Sequence, residues 1–134
     1  MIVVDTNVIA YLFLPGPRTP LAEALLLSQP DWAAPPLWRS EWRNVLMGYL
    51  RRGHLQLPQV LALAEQAEVS LAIQDQPVSS EAVLQLASGS GCSAYDCEFV
   101  AAAQLLGVPL ITADQALLRA FPQVARPLEL CSPG

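Results

Sequence analysis

The sequence contains no lysine and only one histidine, His54. The lack of lysine excludes a Schiff base, a P-loop lysine and a Ser-Lys dyad, because each of these uses a lysine nitrogen. His54 follows Gly53 in a segment that predicts a turn, and no Gly-x-Ser-x-Gly motif is present. A Ser-His-Asp hydrolase and a two-histidine nuclease are therefore disfavoured, and carboxylates are the catalytic groups that remain in number.

Long apolar runs are also missing. No apolar stretch reaches the roughly 20 residues that a membrane-spanning helix needs, and no basic region precedes the apolar run 2–4. We therefore expect no membrane span, no secretion signal and a cytoplasmic protein. The three cysteines, Cys92, Cys97 and Cys131, lack the paired spacing of a metal site, which predicts free thiols in a reducing compartment.

The composition indicates one folded domain over residues 1–134. The chain is 53% hydrophobic and 14% charged, which excludes a disordered polar linker. All seven basic residues are arginines and the net charge is −5, so we expect no large non-specific DNA-binding surface. This charge is still compatible with a nucleic-acid enzyme whose acidic site is neutralised by bound metal.

The apolar pattern alternates between short strands and helices. Strands are predicted at residues 2–5, 32–34, 109–112 and 126–130. Helices are predicted at residues 6–14, 20–28, 37–52, 58–68, 79–88, 93–106 and 114–120. Residues 69–74 fit either an edge strand or an extended connection. Strands separated by helices predict an α/β fold, a three-layer α/β/α sandwich with a mainly parallel central sheet.

Two acidic residues follow apolar runs that read as buried strands. Asp5 comes after Ile2–Val4, and Asp114 comes just after the run that ends at Thr112. A charge is costly to desolvate at such a position, but ligands of open α/β sheets bind outside the carboxyl ends of the strands. Carboxylate oxygens are hard ligands, so the pattern indicates an acidic site for Mg²⁺ or Mn²⁺.

Two further acids lie early in predicted helices. Glu41 falls at the edge of the apolar face of helix 37–52, where Asn44 can reach the same site as a hydrogen-bond partner. Ser93 is a plausible helix cap that places Asp96 in the first turn of helix 93–106. Glu98 is two residues further on, about 200° around the helix, so we expect it to point away from the site.

These segments together resemble the PIN-domain family, which includes VapC-type toxin ribonucleases. The resemblance covers nearly the whole chain and rests on residues 4–8, 40–46, 93–103 and 110–114. It implies an acidic quartet that is catalytic and binds metal, formed by Asp5, Glu41, Asp96 and Asp114. It also implies supporting polar groups at Thr6, Asn7 and Thr112.

The resemblance implies a Mg²⁺- or Mn²⁺-dependent endoribonuclease, the toxin of a VapBC-type pair with a cognate antitoxin partner. Single-stranded or looped RNA is the expected substrate, because its bases and phosphates are accessible. Arg51 and Arg52 are candidate RNA phosphate contacts, whereas Arg39 and Arg43 project away from Glu41 and suit a contact with a partner. The weakly charged helices 20–28 and 58–68 predict a homodimer.

Three alternatives remain open at this point. A haloacid-dehalogenase-type phosphatase also places an aspartate after its first strand, but it needs a second one where Asn7 stands, and it uses a lysine that this chain lacks. A non-catalytic PIN-like scaffold that binds RNA or protein is the second alternative. The third is a structural α/β domain without an active site.

Overall fold

The computed structural model describes residues 1–131 and contains a five-stranded parallel sheet in the order β3-β2-β1-β4-β5. Every neighbouring pair of strands is parallel. The strands are β1 Ile2–Val4, β2 Trp32–Ala34, β3 Gln74–Asp75, β4 Leu110–Thr112 and β5 Ala125–Pro127. Because parallel strands need crossover connections, helices separate them along the chain.

The helices complete the three-layer α/β/α arrangement expected from the sequence, which is thereby confirmed. They are α1 Thr6–Phe13, α2 Thr19–Ser28, α3 Leu37–Arg51, α4 Leu57–Ser70, α5 Ser80–Ser90, α6 Ala94–Leu106 and α7 Gln115–Ala120. A 3₁₀ helix, Leu128–Leu130, follows β5. Among residues 1–131, no helix has both the length and the apolar character to cross a membrane.

The core lies around β1, the central strand, whose three residues are completely buried. Buried parallel strands are apolar on both faces, which explains why β1, β2 and β4 read as continuous apolar runs rather than as alternating patterns. Trp32 on β2 and Trp38 and Trp42 on α3 are the largest buried side chains. This rigid centre fixes where the carboxyl ends of β1 and β4 lie.

The structure differs from the predicted elements in three places. Helix α5 continues through Gly89 to Ser90, beyond its predicted end at residue 88. Helix α4 continues to Ser70, and only Gln74–Asp75 form the edge strand β3. The final strand begins one residue early and ends at Pro127, so the prediction of a strand through residue 130 was wrong. The chain turns after Pro127 because the turn buries Leu128, and the backbone N–H of Cys131 donates to Leu128 O at 3.1 Å.

Candidate active site

Asp5 and Asp114 follow the adjacent parallel strands β1 and β4, and each is the N-cap of the next helix. Asp5 Oδ1 accepts a hydrogen bond from the Val8 N–H at 3.1 Å. Asp114 Oδ1 accepts from the N–H groups of Ala116 at 2.8 Å and Leu117 at 3.1 Å. Capping satisfies backbone donors that the helices leave free, so both carboxylates are held at the carboxyl edge of the sheet.

Thr112, the last residue of β4, connects these two acids. Its Oγ1 donates to Asp5 Oδ2 and accepts from the backbone N–H of Asp114 at 2.9 Å. The Thr112 side chain is completely buried, so this short chain of hydrogen bonds is shielded from water. Thr112 does not line the cavity of the acids, but its hydrogen bonds orient Asp5 and Asp114.

Glu41, on α3, is held in place by a hydrogen bond from α1, the helix that follows β1. Thr6 Oγ1, in the first turn of α1, donates to Glu41 Oε1 at 2.7 Å. Burial raises the pKa of the half-buried Glu41 carboxyl, the Thr6 hydrogen bond opposes this rise, and the charges of Asp96 and Glu98 add to it. The partner of Glu41 is thus Thr6, which lies 35 positions away in the chain.

Asp96 lies in the first turn of α6, as the sequence predicted. Ser93 is the N-cap, and its Oγ accepts from the Asp96 N–H at 3.0 Å. Burial raises the pKa of the Asp96 carboxyl, and the charge of Asp114 raises it further, whereas the Ser93 hydrogen bond lowers it. The Asp114 carboxylate is therefore close enough to Asp96 to disfavour ionisation of the Asp96 carboxyl.

All four predicted acids line one cavity of about 370 Å³. Three of the expected supporting residues, Thr6, Asn7 and Asn44, line it as well. The remaining lining includes Ser40, Tyr95 and the apolar side chains Leu37, Val45, Phe99 and Leu117. The fold thus brings together side chains from four separate parts of the chain into one acidic, partly apolar cleft.

Asp5 is the most strongly perturbed acid in this cavity. Burial raises its pKa to about 6, even though hydrogen bonds from Thr112 and Val8 favour the ionised form. The charges of Asp114 and Asp96 raise the pKa further. Only 7% of the Asp5 surface is exposed and other acids lie nearby, so a positive charge bound beside it would favour the ionised carboxylate and lower this pKa.

The side chains that line the cavity offer oxygen ligands and no histidine or cysteine. This donor set suits a hard divalent cation. Within residues 1–131, no three acidic, histidine or cysteine side chains converge tightly enough to form a ready-made metal cage. A loose set of acids still fits Mg²⁺, because this ion keeps several of its waters and uses only one or two protein carboxylates.

Two polar residues of the cavity were missed by the sequence argument. Ser40 directly precedes Glu41, and Tyr95 directly precedes Asp96. The Tyr95 side chain is 64% exposed, so its ring is accessible from solvent beside the acids. The sequence could have indicated Tyr95 as a site residue, because it stands next to Asp96 at the start of a helix.

Glu98 lies outside the acidic cavity, on a neighbouring groove that it shares with Ser79, Ser80 and Val83. The helix-face argument is correct in that respect. The charge of Glu98 nevertheless raises the pKa of Glu41. This effect is smaller than those of burial and of the Asp96 charge, which raise the same pKa. Glu98 is therefore a neighbour of the site that does not line it.

Most of the arginines near α3 are engaged or distant. Arg39 pairs with Asp75 at 2.7 Å and with Glu68 at 3.6 Å, and Arg43 pairs with Glu68 at 3.5 Å, so both serve contacts within the chain. Arg51 and Arg52 end the same helix, about 15 Å along its axis from Glu41. The Arg52 guanidinium lies over the Tyr49 ring at 4.8 Å.

The arrangement of the acids at the edge of the parallel sheet agrees with comparison to known families. A family model for the PIN domain matches residues 2–124. The chain belongs to the PIN domain family. This membership confirms the resemblance drawn from the sequence and favours it over the haloacid-dehalogenase alternative.

Relatives of this PIN domain match it over nearly their full lengths. Ribonuclease VapC3 from Pyrobaculum aerophilum is 28% identical over 129 residues, covering 94% of this chain and 98% of that protein. A toxin-antitoxin complex from Klebsiella pneumoniae contains a chain that is 20% identical with a TM-score of 0.65, covering 94% of this chain and 96% of that one. FitAcB from Neisseria gonorrhoeae is 23% identical with a TM-score of 0.69, covering 93% and 96%.

Proposed function

We propose that this PIN-domain protein is a metal-dependent ribonuclease whose acidic quartet is Asp5, Glu41, Asp96 and Asp114. The observation that carries the proposal is that these four acids, dispersed along the sequence, line a single cavity at the carboxyl edge of the sheet. Similarity to a protein named as a ribonuclease supports the type of reaction.

The four acids would hold Mg²⁺ or Mn²⁺. A bound divalent cation lowers the pKa of water and neutralises charge on a phosphodiester, which supplies the chemistry that a cleft without histidine or lysine cannot. The residues of the chain then have separate tasks. Thr112 and the helix caps hold Asp5 and Asp114 in place, and Thr6 holds Glu41.

Single-stranded RNA is the proposed substrate. The exposed ring of Tyr95 offers a stacking surface for an unpaired base beside the acids. Asn7 and Asn44, both exposed on the rim of the cavity, can donate hydrogen bonds to the sugar or phosphate. Arg51 and Arg52 remain candidate phosphate contacts for a longer strand.

The biological role that we propose is that of a VapC-type toxin acting in the cytoplasm, paired with a cognate antitoxin. Support comes from the Klebsiella pneumoniae toxin-antitoxin complex, whose chain shares this fold along almost its whole length. We also propose a homodimer. Helix α4 exposes Leu57, Leu61 and Val69, and an apolar surface of this kind is typical of an interface.

The nuclease proposal is tested with purified protein and a labelled single-stranded RNA. Cleavage should require Mg²⁺ or Mn²⁺, should stop when EDTA is added, and should be lost in Asp5→Asn. Asp31→Asn, at an exposed position outside the cavity, is the matched control and should cleave like the wild type. Cleavage that persists in EDTA, or binding of RNA without cleavage, would favour the non-catalytic scaffold.

The toxin proposal is tested separately by expression in cells. Wild-type protein should arrest growth, Asp5→Asn should not, and co-expression of the protein encoded by the adjacent reading frame should restore growth. That protein should also co-purify with the PIN domain. Growth arrest that no neighbouring gene product relieves would contradict the toxin–antitoxin assignment and leave the nuclease assignment intact.

A further inference from the structure

A second groove adjoins the acidic cavity. Its volume is about 480 Å³, and it runs between the α5–α6 connection and helix α7. Ser90, Cys92 and Ser93 line one side, and Arg119 lies on the other. Asp96 lines this groove and the acidic cavity alike, so the two lie on either side of that residue.

Arg119, like Arg51, Arg52 and Arg126, has no ion pair among residues 1–131, but it lines a groove that also contains Asp96. Arg18, Arg39 and Arg43 form ion pairs with carboxylates of the chain. Within residues 1–131, no carboxylate pairs with the exposed Arg119 side chain. A guanidinium that is not neutralised by its own protein is available to a ligand, and its fork of N–H donors matches a phosphate group.

Arg126 provides a useful contrast. It is also exposed and unpaired among the described residues, but it lines a cavity with Gly107, Pro109 and Val124. Those residues precede β4 and β5, so Arg126 lies toward the opposite edge of the sheet from Asp5 and Asp114. The position of Arg119 beside Asp96 is thus specific to that side chain and not a general property of the arginines.

The charge of the site explains why a cation is needed here. RNA is a polyanion, and the cavity that would hold the cleaved phosphate is lined by four acids. A neighbouring phosphate that leaves this cavity past Asp96 would still lie beside the Asp96 carboxylate, so a basic group there would offset the repulsion. Among the grooves that contain Asp96, the one with Arg119 supplies that group.

We propose that the groove between the α5–α6 connection and α7 is an RNA subsite, in which Arg119 binds the phosphate next to the one that is cleaved. The inference rests on the proposed ribonuclease function and extends it to the path of the strand. Ser93, whose hydroxyl caps α6 beside Asp96, lies on the same wall of the groove. The substrate class is a single strand at least one nucleotide longer than the cleaved linkage.

The test compares Arg119→Gln with Arg126→Gln. The second variant is the matched control, because it also removes one exposed arginine. Binding of a labelled single-stranded RNA is measured by fluorescence anisotropy at several salt concentrations, with Ca²⁺ in place of Mg²⁺ so that the acids keep a divalent cation. Arg119→Gln should bind about fivefold to tenfold more weakly at low salt, and its salt dependence should fall by about 0.7 in the slope of log K against log salt. Arg126→Gln should match the wild type.

Substrates with one neutral methylphosphonate linkage then locate the contact. In the wild type, neutralising the phosphate adjacent to the mapped cleavage position should weaken binding about fivefold. Arg119→Gln should be insensitive to that change, because the partner of the phosphate is already lost. Arg119→Lys keeps the charge without the fork and should restore most of the salt dependence. Melting temperatures confirm that each variant is folded.

The outcomes separate the subsite from the ribonuclease proposal. Wild-type protein that cleaves RNA while Arg119→Gln and Arg126→Gln behave alike would overturn the subsite alone. Equal sensitivity of wild type and Arg119→Gln to the methylphosphonate would overturn it too. Wild-type protein that neither binds nor cleaves single-stranded RNA would overturn both proposals together.

Discussion

At the scale of single residues, Asp5 combines two roles that oppose each other. As a helix cap it accepts hydrogen bonds that favour its ionised form. As a buried group among other acids it is driven toward the neutral form, and its pKa rises to about 6. A protein without a site at this position would gain by replacing the carboxylate with a neutral cap.

The first prediction is a dependence of stability on pH in metal-free buffer. The pKa of Asp5 is about 6 in the folded state and 3.8 in its unperturbed state. Between these values the folded protein holds a proton that the unfolded chain has released, so stability falls as pH rises from about 4 to about 6. The loss is on the order of 3 kcal/mol. Denaturant unfolding at a series of pH values measures it.

Asp5→Asn should remove that part of the pH dependence, since asparagine caps a helix without titrating. The variant should equal the wild type near pH 4 and exceed it in stability at pH 7. Asp31→Asn, on the exposed surface, should leave the wild-type profile unchanged. Parallel pH profiles for wild type and Asp5→Asn would show that Asp5 is not perturbed as described.

A second residue-scale prediction separates Asp96 from Glu98. Asp96→Asn should reduce RNA cleavage by at least ~100-fold, the effect of losing a ligand to a catalytic metal. Glu98→Gln should stay within about threefold of wild type, because its side chain lies outside the cavity and acts on Glu41 only through its charge. Single-turnover cleavage rates measure both. A severe loss in Glu98→Gln with little loss in Asp96→Asn would reverse the assignment.

At the scale of elements, hydrogen bonds join the carboxyl ends of β1 and β4 to the start of α7. Thr112 is the last residue of β4, and its hydroxyl joins the cap of α1 to the cap of α7. The acids are thus positioned by regular structure rather than by long loops. Such positioning would keep the proposed metal site preorganised, which loops achieve less well.

The third prediction concerns this junction. Thr112→Val keeps the shape of the side chain but removes the donor to Asp5 and the acceptor for the Asp114 N–H. Folded stability should fall by about 1–3 kcal/mol at pH 7, because buried polar groups lose their partner. Metal affinity, measured by calorimetry, should fall as well. Thr112→Ser retains the hydroxyl and should restore metal affinity; equal losses in both variants would indicate packing alone.

At the scale of the whole molecule, the proposed metal would make the folded protein more stable than it is with the acidic cavity empty. Four acids in one cleft repel each other, and a cation that binds only the folded state relieves this repulsion. Repulsion among the acids therefore lowers the free energy of unfolding of the whole domain.

The fourth prediction follows from this linkage. Millimolar Mg²⁺ or Mn²⁺ should raise the melting temperature of the wild type, and the rise should be smaller in Asp5→Asn and Asp96→Asn. Without metal, these variants should be at least as stable as the wild type, since repulsion is relieved. Differential scanning fluorimetry with an EDTA control measures each shift. Identical, metal-insensitive melting curves for all three proteins would count against the site.

The last prediction concerns assembly. Leu57 and Leu61 on α4 are 51% and 61% exposed and lie one helical turn apart, so they form a continuous apolar strip. Light scattering should give a mass of twice 14.4 kDa. Leu61→Glu should produce a monomer, whereas Leu105→Glu, at a comparably exposed leucine on α6, should not. A wild-type mass of one chain at high concentration would contradict the dimer.

Local information was sufficient for much of this protein. Apolar runs bounded by proline and glycine identified the order of strands and helices, and the Ser93 cap placed Asp96 in the first turn of α6. An acid directly after a buried strand indicated the edge at which Asp5 and Asp114 lie. These features depend on residues adjacent in the chain, so they are visible in the sequence.

Contacts between distant residues were decided only by the tertiary structure. The Thr6 partner of Glu41, the Thr112 connection between Asp5 and Asp114, and the groove that joins Arg119 to Asp96 each unite separate elements. The intramolecular ion pairs of Arg39 belong to the same class. Periodicity reports which face of an element is buried, but not which neighbour covers it, because that depends on how the sheet and helices pack.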